Sequence, residues 1–171
     1  TAPGYANFTI RGLGINSTIP SIDPTVGVFT DGIYLGINAG VVLDNFDLEG
    51  IEVLRGPQGL LFGRNVTGGA VVMRTTRPDF NFRASTKASV ETGLKKTVSA
   101  MVTGPIAEDV LAAKLAVYYS KDEGWFRNQF DQSSFGKSRD IIIRPALSVK
   151  GGDNFRMDLR YEHGDIDGDG A

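Results

Sequence analysis

The chain has 171 residues, with 18 Lys and Arg against 20 Asp and Glu for a net charge of −2, and it carries 22 glycines and no cysteine. Slight acidity without a basic tract argues against a nucleic-acid binder, and the lack of Cys excludes disulfides and thiolate metal sites within the chain. Glycine above the average of about 7% favours turn-rich β structure, and no apolar run approaches the roughly 20 residues of a transmembrane helix. Membrane-spanning β-strands, which alternate, stay open.

Residues 1 to about 78 are irregular and punctuated by glycine. Val26–Thr30 and Ile33–Leu35 flank Asp31-Gly32, the pair that supplies the positive φ angles of a type I′ hairpin turn. Asp44 is placed to cap a short helical turn over 45-NFDLEG-50, stopped by Gly50. Ile51–Leu54 then reads as a strand, Gly56-Pro57 as a turn and Ala70–Thr76 as a second strand. Between them, 63-GRNVTGGA-70 comes close to the phosphate-binding pattern G-x-x-x-x-G-K-[ST]. The Lys that would reach the β/γ-phosphates and the hydroxyl that would hold Mg²⁺ are replaced by Gly69 and Ala70. The β-branched run that follows reads as a strand and not a helix, so no nucleotide site is expected and the glycines need another reason.

From Phe82 the pattern changes to sustained period-two alternation. Phe82, Ala84, Ala88 and Val90 share one face against Arg83, Ser85, Lys87, Ser89 and Glu91. Four further apolar faces follow: Val98/Ala100/Val102, Leu111 to Tyr119, Ile141 to Val149, and Phe155/Met157/Leu159/Tyr161. In the last of these Arg156, Asp158, Arg160 and Glu162 hold the opposite face. Such strands suit either a soluble sandwich, with the apolar face on a second sheet, or an outer-membrane barrel, with the apolar face on lipid. Strands of about ten residues exceed the usual 5–6 of globular sheets. The connections also alternate, short at 105-PIAED-109, long at 121–138 and short again at 151-GGD-153, with only the 93-GLKK-96 turn breaking the pattern by being short where a long loop is expected. Both features favour the barrel; a soluble or surface sandwich acting as an adhesin or carbohydrate-binding module is the alternative.

The segment 51-IEVLRGPQGLLFGRNVTGGAVVMRTTRP-78 resembles the signature of the TonB-dependent receptor plug domain. Upstream, 8-FTIRGLG-14 and 26-VGVFTDGIYLG-36 are similar to that family's I-R-G segment and V-x-V-Y-x-D-G hairpin. Met73 and Arg74 depart from it, standing where Asn and an aliphatic residue are common. The resemblance implies a small mixed α+β plug over 1–78, followed over 79–171 by about the first five antiparallel strands of an incomplete β-barrel, a barrel of about 22 strands in the family. It further implies that a signal peptide, a TonB box and the start of the plug precede this segment. Five strands leave exposed edges, so the chain alone is not expected to stay folded and monomeric in water.

By the same resemblance the protein is a transporter in the outer membrane of a Gram-negative bacterium. It would have no catalytic residue, metal or cofactor; its partners would be TonB, a small transported ligand and outer-membrane lipid, with no nucleic acid. An iron–siderophore complex is the expected cargo. Arg11 and Arg55 are the implied locks onto barrel-wall glutamates through bidentate guanidinium–carboxylate bonds, with Glu52 able to pair with an Arg of plug or wall. Gly56, Gly59, Gly63, Gly68 and Gly69 are expected to let the plug loop pack closely. Trp125, Phe126, Phe130 and Phe135 in the long loop are candidates for ligand or interface contact. His163 has no partner ligand in sequence, and 165-DIDGDGA-171 has only the opening of a Ca²⁺ loop, so a polar extracellular loop is expected there.

Overall fold

A computed structural model describes residues 8–14, 24–35, 46–92, 95–124, 126–127, 129–130, 134–152 and 154–169. The chain divides into two compact units, Thr1–Thr76 and Arg77–Ala171.

In the first unit, strands β1 (Val26–Thr30), β2 (Ile33–Leu35), β3 (Leu48–Arg55) and β4 (Gly69–Thr75) form one sheet in the order β2-β1-β4-β3. β1 runs parallel to β4, and the other two pairings are antiparallel. Asp31 and Gly32 both have positive φ, 51° and 85°, as a type I′ turn requires. Asp31 also serves the sheet, because its carboxylate accepts the Thr75 amide at 3.0 Å and the Thr75 hydroxyl at 2.6 Å. Both faces of the central pair are covered. Ile10, Val26, Val28, Val71 and Met73 cluster on one side, and Phe29, Val66 and Ala70 on the other, with the Phe62 ring tilted against Phe29 at 4.6 Å between centroids. A strand buried on both faces has no use for alternation, which is why β4 is nearly continuous in apolar residues.

The helical turn expected over 45–50 is not there: among the described residues, Leu48 already begins β3. Asp47 adopts φ 55°, its carbonyl accepts the Thr76 amide at 3.0 Å and its carboxylate accepts the Thr76 hydroxyl. Tertiary bonding to the end of β4 overrides the local capping signal; Asp44 lies outside the described residues. The one short helix of the described residues is α1 (Gly59–Phe62), within the glycine-rich loop.

The second unit is an antiparallel sheet of β5 (Arg83–Val90), β6 (Lys96–Ala107), β7 (Leu111–Asp122) and β10 (Ser138–Lys150), continued by β11 (Arg156–Arg160) and β12 (His163–Gly168). A two-residue pair, β8 (Phe126–Arg127) with β9 (Ser134–Phe135), sits in the long connection. β11 and β12 are two halves of one line along β10, since Ala146 faces Arg160 and Ile143 faces His163 in the same register. The break falls at Pro145, which accepts the Tyr161 amide at 3.1 Å but has no N–H to return. Arg144 bridges the gap to Glu162 at 2.5 Å. The tail expected as a loop from Asp165 is therefore strand through Gly168. Likewise the 105–109 turn is tighter than expected, because β6 continues to Ala107 through a bulge after Pro105.

Gly69 has φ 146°, and an added Cβ would lie 2.3 Å from the Leu54 carbonyl oxygen and 2.7 Å from Ile10 Cδ1. Gly59 has open space around it and no such φ. Gly69→Ala is therefore expected to destabilise the first unit by about 2–4 kcal/mol. Gly59→Ala should be neutral or slightly stabilising. Denaturant midpoints of the two variants in the complete protein check the contrast; equal midpoints would refute it.

Candidate functional site

The glycine-rich loop closes on itself. The Gly56 amide donates to the Gly68 carbonyl at 3.2 Å, the Gln58 amide to Val66 at 3.1 Å, and the Gly68 amide to Thr25 at 2.8 Å. The amides of Leu61, Phe62 and Gly63 are bonded within α1 to Gln58 and Gly59. A phosphate cradle needs free, convergent amides, and these are committed to carbonyls. Gly56 and Gly63 have positive φ, 88° and 77°, and Gly68 allows close approach, since a Cβ there would lie 3.0 Å from Leu13 Cβ. Leu60 and Leu61 of α1 stay exposed.

Arg11 sits at a hairpin tip that its sequence does not advertise. Ile10 and Leu13 exchange both backbone hydrogen bonds at 2.9 Å, leaving Arg11-Gly12 as the two-residue turn with φ 53° and 79°. An arginine at positive φ is strained relative to glycine or asparagine. The guanidinium is thus held out at a tip. Arg55, at the end of β3, is also exposed, and among the described residues neither arginine makes an ion pair. Glu52 pairs with Arg74 of the neighbouring strand β4. Glu52 and Arg55 emerge on opposite faces of β3, as their spacing of three dictates. Arg74, singled out in sequence only as a departure, is the partner that Glu52 lacked.

In the second unit the usual order of burial is inverted. Along β7, Ala112, Lys114, Ala116, Tyr118 and Ser120 are buried, Lys114 to 4% and Ser120 to 0% exposure. The apolar face stands open instead, with Leu115 at 43% and, on β11, Leu159 at 61%. The same division continues in Thr103 and Ser148, buried on the polar side, and in Val98, Ile143 and Leu147, exposed on the other.

The open apolar band crosses the sheet obliquely. At the long-connection end it reaches Val90 on β5, then stops at Val98, Tyr119 and Ile141, which face one another in a single row. On the last strand it stops earlier, at Tyr161, because His163, Asp165 and Asp167 follow on that face. At the turn end it begins at Phe82, beside Gly104, but extends on the last strand to Phe155, which faces Gly151. Both edges descend in the same sense by about four to six residues over four strand-to-strand steps, roughly 13–20 Å against about 19 Å, a slant of about 35–45°.

The segment joining the units straps across the polar face. The Asp79 amide donates to Thr103 Oγ1 at 2.8 Å, and that hydroxyl donates to the Ala113 carbonyl at 3.0 Å. Lys150 Nζ lies 4.1 Å above the Phe80 ring, and Arg77 reaches Asp158 at 3.9 Å. The Asn81 backbone amide, donated to Asp79 at 2.9 Å, chiefly holds the Asp79 carboxyl below its ordinary range, with Arg83 at 2.9 Å adding to it. The sequence marks this stretch only as the division between 1–78 and 79–171, and no local signal in it announces the strap.

Of the aromatic candidates, Phe126 and Phe135 face each other across the β8–β9 pair, and both are exposed along with Phe130. Trp125 lies outside the described residues. His163 and Asp165 share the outer side of β12, and no metal-holding group of His, Cys, Asp or Glu occurs among the described residues.

Comparison with known proteins follows the same division. Residues 1–70 match the profile of the TonB-dependent Receptor Plug Domain. The Ferrioxamine B receptor of Salmonella typhimurium is 29% identical over 147 residues, covering 82% of this chain and 20% of the receptor. The Pesticin receptor of Yersinia enterocolitica is 29% identical over 121 residues, 70% of this chain and 17% of that protein. The chain thus spans about a fifth of the length of these relatives. Among solved structures, the ferric yersiniabactin uptake receptor FyuA from Yersinia pestis superposes with a TM-score of 0.84 at 23% identity, over 94% of this chain and 25% of that one, a likeness of fold. The siderophore receptor PirA from Acinetobacter baumannii gives 0.70 at 21%, over 92% and 25%.

Thr103→Val keeps the shape but removes the hydroxyl that links Asp79 to Ala113. It should loosen the strap by about 1–2 kcal/mol, read as faster proteolysis between residues 77 and 82 in the complete protein. The depressed Asp79 value implies a contribution present above the ordinary aspartate pKa of about 4 and lost as pH falls through the lower folded value. The Asn81 amide, followed by NMR with selectively labelled asparagine, should titrate with a midpoint below that ordinary value; a midpoint at or above it refutes the bond.

Proposed function

Because the chain carries a TonB-dependent receptor plug region, we propose that it supplies the gate and the first wall strands of an outer-membrane transporter for ferric siderophores, energised through TonB. The single observation that carries the membrane part is the oblique apolar band. Strands of outer-membrane barrels tilt by about 35–45°, so a horizontal lipid layer must mark them with an apolar belt slanted by that angle. A soluble sandwich would bury its apolar face against a second sheet and leave the charged face in water; here the exposures run the other way.

The first unit suits a gate. Its cores are small and its loop is closed by backbone bonds to its own carbonyls, so it is ordered at rest without one large apolar core to disrupt. Low local stability is what a moving element needs. Arg11 and Arg55, exposed and without carboxylate partners among the described residues, are free to bond glutamates of a surrounding wall in bidentate fashion. Ligand would contact loop aromatics such as Phe126, Phe130 and Phe135, and TonB would act through a segment upstream. The siderophore class follows from the relatives, which are ferrioxamine, pesticin and siderophore receptors by name.

Deletion of the complete receptor in its host is expected to abolish uptake of at least one labelled ferric siderophore from a hydroxamate, catecholate and mixed-ligand panel, with uptake equally lost when TonB is absent. Unchanged uptake across the panel under iron limitation would sink the transport reading. Arg11→Gly relieves the backbone strain while removing the guanidinium. It should leave the first unit at least as stable yet increase passive entry of large antibiotics, as should Arg55→Ala. Unaltered permeability in both variants would remove the locking role.

A further inference from the structure

One seam of the second sheet has no short turn to align it. β5 and β6 are joined through residues 91–95, with the Glu91 amide on the Lys95 carbonyl at 2.9 Å. β6 and β7 meet through the Ala107–Leu111 turn, and β10 and β11 through Gly151, whose amide reaches the Phe155 carbonyl at 2.9 Å. A short turn fixes the register of the hairpin it closes. β7 and β10 are joined only through residues 123–137. The small ribbon in that connection does not supply the alignment. From the Asp122–Ser138 pair to the Phe126–Phe135 pair one strand advances four residues and the other three, so the ribbon is out of step with the seam. The outward face does not choose either. Native pairing sets Ile141, Ile143 and Leu147 of β10 against Tyr119, Val117 and Ala113 of β7. A slip of two residues keeps every side chain on its own face and sets Ile141 against Val117, or Leu147 against Leu115, apolar on apolar again. Pro145 is neutral too, since its carbonyl points to the Tyr161 amide and not to β7.

The strap crosses this seam. On the β7 side the Asp79 amide donates to Thr103, whose hydroxyl donates to the Ala113 carbonyl. On the β10 side the next residue, Phe80, lies under the Lys150 ammonium at 4.1 Å, and Arg77 reaches Asp158 of β11, the residue paired with Ser148. β11 travels with β10, because a short turn binds them. A two-residue slip along the seam would carry Lys150 and Asp158 together by roughly 6.8 Å. That displacement exceeds the ~6 Å range of a cation–ring contact and takes Asp158 away from Arg77. We propose that residues 77–82 are the register key of the β7–β10 seam: the strap recognises one alignment of the two strands and holds it. The inference rests on the membrane reading above, because it is an outward face in lipid that has no means of choosing between alignments. It gives the strap a role in assembly.

Disulfide mapping in the complete receptor, recovered from the membranes of its host, reads the register directly; this chain carries no cysteine of its own. Val117→Cys/Ile143→Cys marks the native alignment, in which the two residues are direct partners, about 4.5–5.5 Å apart at Cα and within disulfide range. Val117→Cys/Ile141→Cys and Leu115→Cys/Leu147→Cys mark the two slipped alignments. Natively these are diagonal neighbours at about 7–8 Å, too far to bridge. With the strap intact, only the native pair should close on oxidation. Arg77→Ala/Phe80→Ala/Thr103→Val should raise closure of a slipped pair at least about tenfold at the expense of the native pair, since an ion pair, a ring contact and a hydrogen-bond relay are lost together. Arg77→Lys/Phe80→Tyr/Thr103→Ser keeps each contact and should keep the native pattern. Glu162→Gln, which weakens the same sheet away from the seam by removing the Arg144 pair, should leave both slipped pairs open. Phe80→Leu alone, expected at roughly twofold to fivefold, keeps the test decisive if the triple variant does not assemble. Slipped pairs that stay open in the strap variants, or that close with the strap intact, overturn the proposal. Fractionation separates the two layers of inference. A receptor in the outer membrane whose register ignores the strap defeats only the key, whereas a receptor absent from the outer membrane defeats the membrane reading and the key with it.

Discussion

A β-sheet that buries Lys114, Tyr118 and Ser120 while leaving Leu115, Leu147 and Leu159 open is organised against water. Each exposed leucine would gain roughly 1.5–3 kcal/mol by burial, and several lie in one continuous band. That gain is recovered only if the band meets an apolar medium, and a sheet can meet lipid only when its backbone polar groups are paired strand to strand. The long ladders of β6, β7 and β10 meet that demand internally. The two edges, β5 and the β11–β12 line, are paired on one side only among the described residues, and the proposed barrel would need further strands beside them. The period-two pattern, the length of the strands and the slant of the band are all what the proposed contact with lipid would require.

The first unit answers a different demand. It is an ordinary mixed sheet in miniature, covered on both faces by short segments and not by a second layer of regular structure. Short segments cover a sheet closely only where side chains are removed or the backbone turns sharply. Gly69 at φ 146° against the Leu54 carbonyl, and Gly68 against Leu13, are where that requirement is met. The near resemblance of 63–70 to a phosphate loop comes from this packing need. Glycines that let two backbones touch look, in sequence, like glycines that let a backbone touch a phosphate.

Features with local causes were legible in sequence. Asp31-Gly32 set the β1–β2 hairpin because its positive φ angles are a property of two residues, and the alternation of β7 and β11 declared two faces because the pleat has period two. Features with distant causes were not. The 45–50 segment carries a capping signal, but the Thr76 bonds to Asp47 make it the entry to β3. Arg11-Gly12 is a hairpin tip with an unusual first residue for the turn type, and only the paired bonds of Ile10 and Leu13 reveal it. Asp165 and Asp167 suggested a loop by polarity, whereas register with β10 makes them strand. The slant of the apolar band needs the offset between strands, which no single segment encodes.

The junction between the units constrains the gating proposed above. Thr76 is bonded back into the first sheet through Asp47, while Arg77, the next residue, reaches Asp158 of the second sheet, and Asp79 and Phe80 are fixed to Thr103 and Lys150. No slack residue separates the last bond of one unit from the first contact of the other. In the proposed transporter, a first unit tied this way at its C-terminal end would not come free as a body unless the strap broke first. On that proposal, force delivered from upstream would either turn the first unit at Thr76–Arg77 or unravel it toward β4. Unravelling breaks the ladder bonds between β3 and β4 and the Asp31–Thr75 clasp in succession, each worth about 1 kcal/mol net, and can stop part-way. Ejection would have to break the strap's ion pair, hydrogen bonds and ring contact together. The graded route is the easier one, so in the proposed transporter the strap would be the fixed point against which partial opening takes place.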